Sequence, residues 1–307
     1  MPRVFVTARS FAVYSNEPLE LLERNGYSVE RSPVDGPLSE EKFLSLVRGR
    51  SIDALLVGAD EVTEKVMKSI DGLKVVSMHG SGLDRIDVDK AKELGIVVTN
   101  TPGLNSTAVA ELTVGLMLCL ARKIPMADDS VRNGKWKKII GSSLAGKTLG
   151  LIGLGNIGGK VAAMGHYAFG MEVIGHDKYI NQIADYIKLV GMEECLGGAD
   201  FLSLHLPLVK ETKNLIDREK LKLMKRGAYL INTSRGGIIN EDELYESLLE
   251  GEIAGVALDV FAREPVSLDH PLLSLENCVF TPHMGGRTEE VIKAVSYAAA
   301  ENIIFSI

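Results

Sequence analysis

Cysteine is scarce in this chain of 307 residues. Cys119, Cys195 and Cys278 lie far apart, each in or beside an apolar stretch, and no C-x-x-C occurs. That excludes a disulfide framework and reads as buried, reduced thiols in a reducing compartment, with a cytoplasmic location expected. Blocks of Lys and Arg are missing too: acidic and basic residues mix along the chain to a formal net charge of -7. Nucleic acid is therefore not an expected partner. Long hydrophobic runs are lacking. The longest, Ala108 to Ala121, is interrupted by Glu111 and is too short to span a bilayer, so no membrane association is expected. Pro2 to Thr7 reads as a strand rather than a signal peptide. No His or Cys pair has zinc-ligand spacing, which argues against a catalytic metal. Repeats and low-complexity segments are absent, and the single tryptophan, Trp136, reads as a packing residue in a loop.

What the chain does have is apolar residue content, 46%, and a length that suits two domains. The first hundred residues alternate strand and helix. Strands are expected at 3–7, 27–31, 53–57, 74–78 and 96–99, with amphipathic segments such as Pro18–Arg24 and Ser39–Val47 between them. Such alternation predicts a parallel sheet with helices on both faces. Thr101-Pro102-Gly103 breaks the pattern. Asn105-Ser106 can then cap one long helix running toward Arg132, which Asn133-Gly134 stops. A second series follows, with strands expected at 148–152, 172–176, 200–204, 228–232, 255–259 and 278–281, a six-stranded Rossmann sheet. A last helix, Thr288 to Ile304, falls outside that unit and is expected to return to the first domain. The expected division is 1–100 with 283–307 for a substrate domain, and 101–282 for a dinucleotide-binding domain.

The most specific signal lies at the start of the second series. Thr148–Ile152 leads into Gly153-Leu154-Gly155-Asn156-Ile157-Gly158, a helix-compatible segment follows, and the next strand ends at Asp177. Strand, glycine loop, helix, strand and acid come in the order of a dinucleotide site. The start of the helix offers N–H groups and positive dipole to a pyrophosphate. Asp177 suits a ribose 2′-OH and repels a 2′-phosphate, which favours NAD over NADP. Three further polar residues sit at or just beyond strand ends: Arg235, Glu264 and His283. In open α/β sheets that edge is where ligands bind. Together they make a cation, a proton donor, and a carboxylate able to orient the donor. The other histidines are weaker candidates: His166 reads as structural, His176 as edging an adenosine pocket, His205 as lining the cofactor cleft, and His270 as exposed in an Asp-His-Pro turn. In the first domain, the Gly-rich turn His79-Gly80-Ser81-Gly82 follows a strand and can hold a carboxylate on its N–H groups.

Taken together, these segments resemble the D-isomer-specific 2-hydroxyacid dehydrogenase family, which includes phosphoglycerate dehydrogenases and glyoxylate/hydroxypyruvate reductases. The resemblance rests on Gly80-Ser81-Gly82-Leu83-Asp84, on Asn100 to Asn105 with Ala108-Val109-Ala110-Glu111, on His205-Leu206-Pro207-Leu208 with Glu211-Thr212, and on Asp259-Val260-Phe261. It implies an α/β fold of two doubly wound parallel-sheet domains, a Rossmann NAD domain and a discontinuous flavodoxin-like substrate domain. It implies NAD-dependent hydride transfer at C2 of a small D-2-hydroxy or 2-keto acid. The implied catalytic residues are Arg235, Glu264 and His283. The implied cofactor residues are Gly153, Gly155, Asn156, Ile157, Gly158, Asp177, Thr233 and Asp259, with Thr107 added. His79, Gly80, Ser81, Gly82 and Arg235 are the implied substrate residues. A homodimer built through the cofactor domain, near the Leu112–Leu120 helix and the Trp136 loop, is also implied. The alternative is an NAD(H)-sensing scaffold of the same fold, as in family-like corepressors. Two positions depart from the pattern. Relatives acting on phosphorylated acids often carry Arg where this chain has Met78, and Asn where it has Arg85. Ending at Ile307, the chain is expected to lack the C-terminal regulatory domain of longer members.

Overall fold

In the computed structural model, which describes residues 1–180 and 182–307, the chain divides into two compact units. Met1–Asn105 with Gly286–Ile307 make the first; Ser106–Gly285 make the second. Arg235, Glu264 and His283 all belong to the second.

The first unit holds a parallel sheet of β1 (Arg3–Val6), β2 (Ser28–Arg31), β3 (Ala54–Val57), β4 (Val75–Met78) and β5 (Val97–Thr99). Its order, β2-β1-β3-β4-β5, is flavodoxin-like. Strand alternation sends side chains to two separate cores. Phe5, Leu55 and Val57 face one, with the helix residues Phe43 and Val66. Val4, Val6, Ala54 and Leu56 face the other, with Ala299, Ala300 and Ile303 of the last helix, Glu289–Ser306. Each buried Val, Leu, Ile or Phe among them contributes about 1.5–3 kcal/mol, and a one-residue slip in register would exchange both cores at once. Ser39 caps its helix, its hydroxyl accepting from the Lys42 N–H, and Thr288 caps the last helix by accepting from the Val291 N–H.

The second unit holds β6 (Thr148–Ile152), β7 (Glu172–His176), β8 (Ile187–Leu189), β9 (Phe201–Leu204), β10 (Tyr229–Asn232), β11 (Gly255–Leu258) and β12 (Cys278–Phe280). All pairings are parallel, in the order β12-β11-β10-β9-β6-β7-β8. The six-stranded expectation was one strand short. The strand it lacked, β8, is three residues long at the sheet edge, with only Ile187 buried, too brief for an alternating pattern to register. The interior strands again alternate between two cores: Leu149, Leu151, Phe201 and Ile231 in one, Ile152, Leu202, Leu230 and Leu258 in the other.

The expected single helix from Ser106 to Arg132 is two helices, Ser106–Arg122 and Ile124–Arg132. Pro125 cannot donate the N–H that continuation requires, and Lys123 takes a left-handed conformation at the joint, φ 52°. Trp136 is 75% exposed, so the packing reading does not hold within this chain. Cys119 and Cys278 are half-buried rather than buried, while Cys195 is fully enclosed; none is in a disulfide.

Candidate active site

The glycine loop joins β6 to the helix Asn156–Phe169. Gly153 has φ 97°, and a Cβ there would lie 2.3 Å from the His205 carbonyl oxygen. A Cβ at Gly158 would lie 2.0 Å from the Gly153 oxygen. Both positions therefore require glycine, so that loop, helix and the end of β9 can close on one another. Gly155 differs. A Cβ there would meet nothing within 4 Å, and as N-cap it gives the helix no side-chain hydrogen bond. The helix thus starts with N–H groups directed at open space, beside the exposed Asn156 and half-buried Ile157. Uncapped donors and the positive end of the helix dipole suit a pyrophosphate.

Asp177 follows β7 and ties the acid to this loop. Its Oδ2 accepts from the Leu154 N–H at 2.8 Å, and its Oδ1 from the N–H groups of Tyr179 and Ile180 at 2.8 and 2.9 Å. Burial alone would raise the carboxyl. These three donors, with His176 nearby, instead hold it below the usual carboxylate range. A carboxylate has about four lone-pair sites, so capacity for a ribose hydroxyl remains. His205, at the end of β9, has Nε2 3.0 Å from Ser203 Oγ, and burial pushes it down to about 3, so its ring is neutral. Its buried Nδ1 has no partner among the described residues. His166 stacks on Tyr186, and His176 Nδ1 is 3.2 Å from Val190 O. His270 is not exposed as expected: its side chain is 21% accessible, with Nε2 3.2 Å from Glu241 Oε2.

Further along the same sheet edge, β10, β11 and β12 deliver the remaining groups. Asn232, buried at the end of β10, folds the turn that follows. Its Oδ1 accepts from the Ser234 N–H and hydroxyl, and its Nδ2 donates to Arg235 O at 2.8 Å. Thr233 is buried against Thr113, their hydroxyls 2.8 Å apart. Arg235 leaves this turn with Nη1 donating to Ser234 O at 2.8 Å. Gly236, next in sequence, packs so closely on the loop after β11 that a Cβ would lie 1.9 Å from the Phe261 carbonyl carbon. The Arg235 turn and the Glu264 loop are therefore held in backbone contact.

Glu264 is shared between its own loop and a histidine. Its Oε1 accepts from the Phe261 N–H at 3.1 Å, and its Oε2 lies 2.7 Å from His283 Nδ1. A carboxylate at that distance accepts the Nδ1–H hydrogen bond and so fixes the tautomer with the proton on Nδ1. The His283 side chain is 51% exposed, and its Nε2 has no partner among the described residues. Its backbone is left-handed, φ 51°, a conformation uncommon outside glycine. Asp259 holds the turn in that shape. Its backbone oxygen accepts the His283 N–H at 2.8 Å. Its Oδ1 accepts from the Thr281 hydroxyl at 2.5 Å and the Met284 N–H at 2.8 Å, and its Oδ2 from the Gly285 N–H at 2.9 Å. Asn232, Thr113 and Glu241, which accepts from the Ala262 N–H at 2.6 Å, were not among the residues expected from sequence. Only Asn232 carried a signal, as the first residue of an Asn-Thr-Ser turn. Among the described residues no group of three His, Cys, Asp or Glu could hold a metal ion.

In the first unit, the turn after β4 uses some of its donors internally. The His79 N–H goes to Val57 O at 2.8 Å, and the Gly80 N–H to Met78 O at 3.0 Å. Those of Ser81 and Gly82 have no partner among the described residues. The Ser81 hydroxyl donates to Thr101 O and Asn105 Oδ1 at 3.1 and 3.2 Å. The His79 side chain is engaged by the last helix. Its Nε2 is 2.9 Å from Ser296 Oγ, and burial, with Arg287 nearby, lowers it to about 4.

Residues 114–285 match the D-isomer specific 2-hydroxyacid dehydrogenase NAD binding domain. The chain belongs to this family of D-isomer specific 2-hydroxyacid dehydrogenases. It is 45% identical over 272 residues to a D-3-phosphoglycerate dehydrogenase of Methanocaldococcus jannaschii, covering 87% of this chain and 51% of that protein. It is 40% identical over 300 residues to a hydroxypyruvate reductase of Thermotoga maritima, covering 95% and 97%. The chain thus spans about half the length of the first relative and nearly all of the second. Among solved structures, the TT0316 protein of Thermus thermophilus matches with a TM-score of 0.89 at 37% identity, over 98% of this chain and 95% of that one. The dinucleotide of this family's NAD binding domain is NAD, and the glycine loop with Asp177 fits it.

Proposed function

We propose that the chain is an NAD-dependent D-2-hydroxyacid dehydrogenase, interconverting a small 2-keto acid and its D-2-hydroxy acid. The observation that carries this reading is the Glu264–His283 pair, 2.7 Å apart, at the sheet edge that also bears the glycine loop. Bound NADH supplies the two electrons and one hydrogen that reduce the keto carbon. The second hydrogen is a proton, and His283 Nε2–H gives it to the ketone oxygen. Glu264 accepts the Nδ1 hydrogen bond throughout and keeps that nitrogen protonated after the transfer. In the reverse direction Nε2 takes the hydroxyl proton. Arg235 presents a planar fork that matches a carboxylate, and its charge stabilises the negative oxygen as it develops. The N–H groups of Ser81 and Gly82 are donors for a carboxylate, within the substrate turn 79–82. Gly153, Gly155, Asn156, Ile157 and Gly158 receive the pyrophosphate, and Asp177 the ribose. Thr107, Thr233 and Asp259 lie toward the nicotinamide end. With three hydrogen bonds committed to the His283 turn, Asp259 acts there first as a positioning residue and keeps one acceptor site for a carboxamide.

The test is turnover. NADH oxidation should be seen with at least one 2-keto acid of a panel, and His283→Ala should lower kcat by about 10²–10⁴-fold while NADH still binds. A fully active variant would remove His283 from the chemistry, and no turnover by the wild type would return the scaffold alternative. Trp136 and Ile140, 75% and 86% exposed, support a homodimer formed through the second unit; light scattering at the monomer mass would refute it. A cytoplasmic location is supported by three thiols outside any disulfide, and no helix among the described residues is long and apolar enough to cross a membrane.

A further inference from the structure

The carboxyl edge of the first unit's sheet carries a turn suited to an anion, yet the neighbouring strands β3 and β4 end without a cation. β4 ends on Met78, and Gly58 follows β3. Asp60, two residues on, is buried and accepts from the Thr7 hydroxyl, the Leu38 N–H and the Gly58 N–H at 2.5, 2.8 and 3.0 Å. Nothing there favours a second negative charge on a substrate.

A cation reaches this edge from the far end of the chain. The helix Glu289–Ser306 runs antiparallel to β4, in a register fixed by two side-chain bonds: Ser77 Oγ donates to Ala299 O at 3.0 Å, and His79 Nε2 lies 2.9 Å from Ser296 Oγ. A helix rises about 1.5 Å per residue, so the stretch from Ser296 back to Thr288 carries its start about 12 Å further, beyond the end of β4. Just before that start, Gly286 closes on Asn105, where a Cβ would meet the Asn105 Cβ at 3.2 Å. Asn105 Oδ1 in turn accepts from the Ser81 hydroxyl. Arg287 stands between Gly286 and the helix cap, and so beside the Ser81-Gly82 turn.

Its guanidinium is exposed and has no ion pair or hydrogen bond among the described residues. The two acids that follow it are engaged elsewhere. Glu289 pairs with Lys293 at 2.6 Å, and Glu290 is held by its own backbone N–H and Thr288. The Arg287 charge is felt at His79, where it adds to burial.

We propose that Arg287 is a specificity-determining residue that receives a second anionic group of the substrate. The substrate is then a 2-keto acid with a phosphate, sulfonate or carboxylate beyond its keto carbon. The inference rests on the dehydrogenase reading above. The Ser81 and Gly82 N–H groups are matched by one carboxylate, and a second anion needs a charged donor of its own. Arginine suits all three groups, because its planar fork bonds two oxygens at once. β4 itself ends on the apolar Met78, and the last helix supplies the charge instead.

The test compares 3-phosphohydroxypyruvate, sulfopyruvate and oxaloacetate with glyoxylate and hydroxypyruvate, which lack the second anion. Each is assayed with NADH on the wild type, Arg287→Ala and Arg287→Lys. For at least one dianionic acid, Arg287→Ala should raise KM and lower kcat/KM by about ten- to a hundredfold, the range for a bond to a charged group. Glyoxylate kinetics should be unchanged, and Arg287→Lys, which keeps the charge but not the fork, should recover only part of the loss. The acid most affected identifies the anion. Equal losses on all five acids, or no loss on any dianionic one, would overturn the proposal while leaving the dehydrogenase reading intact. A wild type that reduces none of the five would overturn both.

Discussion

Gly236→Ala is a small change with a large expected effect. The added Cβ would lie 1.9 Å from the Phe261 carbonyl carbon, 2.1 Å from its oxygen and 2.3 Å from the Ala262 nitrogen. Real Cβ contacts essentially never fall below 3.0 Å, so the two loops must part by about 1 Å. All three clashing atoms are backbone, so no side chain can swing aside. One loop carries Arg235 and the other Glu264, which orients His283. Overpacking of this kind costs about 1–3 kcal/mol of stability. A displacement of about 1 Å at a catalytic constellation costs about 10²-fold in rate. The expected variant is folded but destabilised, still binds NADH through the glycine loop, and has kcat/KM lowered about a hundredfold. Circular dichroism with urea denaturation, NADH fluorescence titration and steady-state kinetics separate these effects. Wild-type kcat/KM in a variant whose stability has fallen would refute the coupling between the two loops. An unchanged denaturation midpoint would refute the contact itself.

Other outcomes follow from the same structure. Asp177→Ala removes both the proposed ribose acceptor and the bond that holds the Leu154 N–H, so NADH affinity should fall by about ten- to a hundredfold. Preference over NADPH should fall with it, and unaltered discrimination would mean that another residue reads the ribose. Asp53, Asp177 and Asp200 are each raised by burial but lowered further by backbone N–H donors, and in Asp53 and Asp200 by a lysine. Their native values lie below the unfolded carboxylate value of about 3.9. Their contribution to stability is thus complete above that value and is lost as pH falls through the lower native ones. Urea midpoints should drop as pH falls below about 4, less steeply in Asp200→Asn; midpoints that stay flat below that pH would count against this role.

Local chemistry made much of the fold legible. Parallel strands buried on both faces are short apolar runs, and turn residues punctuate them, so eleven of the twelve strands could be placed to within a residue or so. The exception, β8, has one buried residue and no pattern to read. The break at Lys123 had a local signal in Pro125, which the reading of one long helix did not use. Trp136 is exposed, against the packing expectation, because burial is set by neighbours in space and none of the described residues covers the ring.

The glycine loop and Asp177 were readable because each answers a constraint fixed within a few residues: a tight turn, a helix start, a strand end. The amino-acid order therefore determined the two α/β sheets, the dinucleotide loop and the set of polar residues at strand ends. Tertiary structure alone decided what those residues do to one another. Glu264 meets His283 across nineteen positions, Asp259 bonds the turn that carries His283, and Gly236 lies against Phe261. Such contacts come from the spacing of neighbouring strands and the paths of their loops. No local pattern encodes them, because the partners are brought together only when the sheet closes.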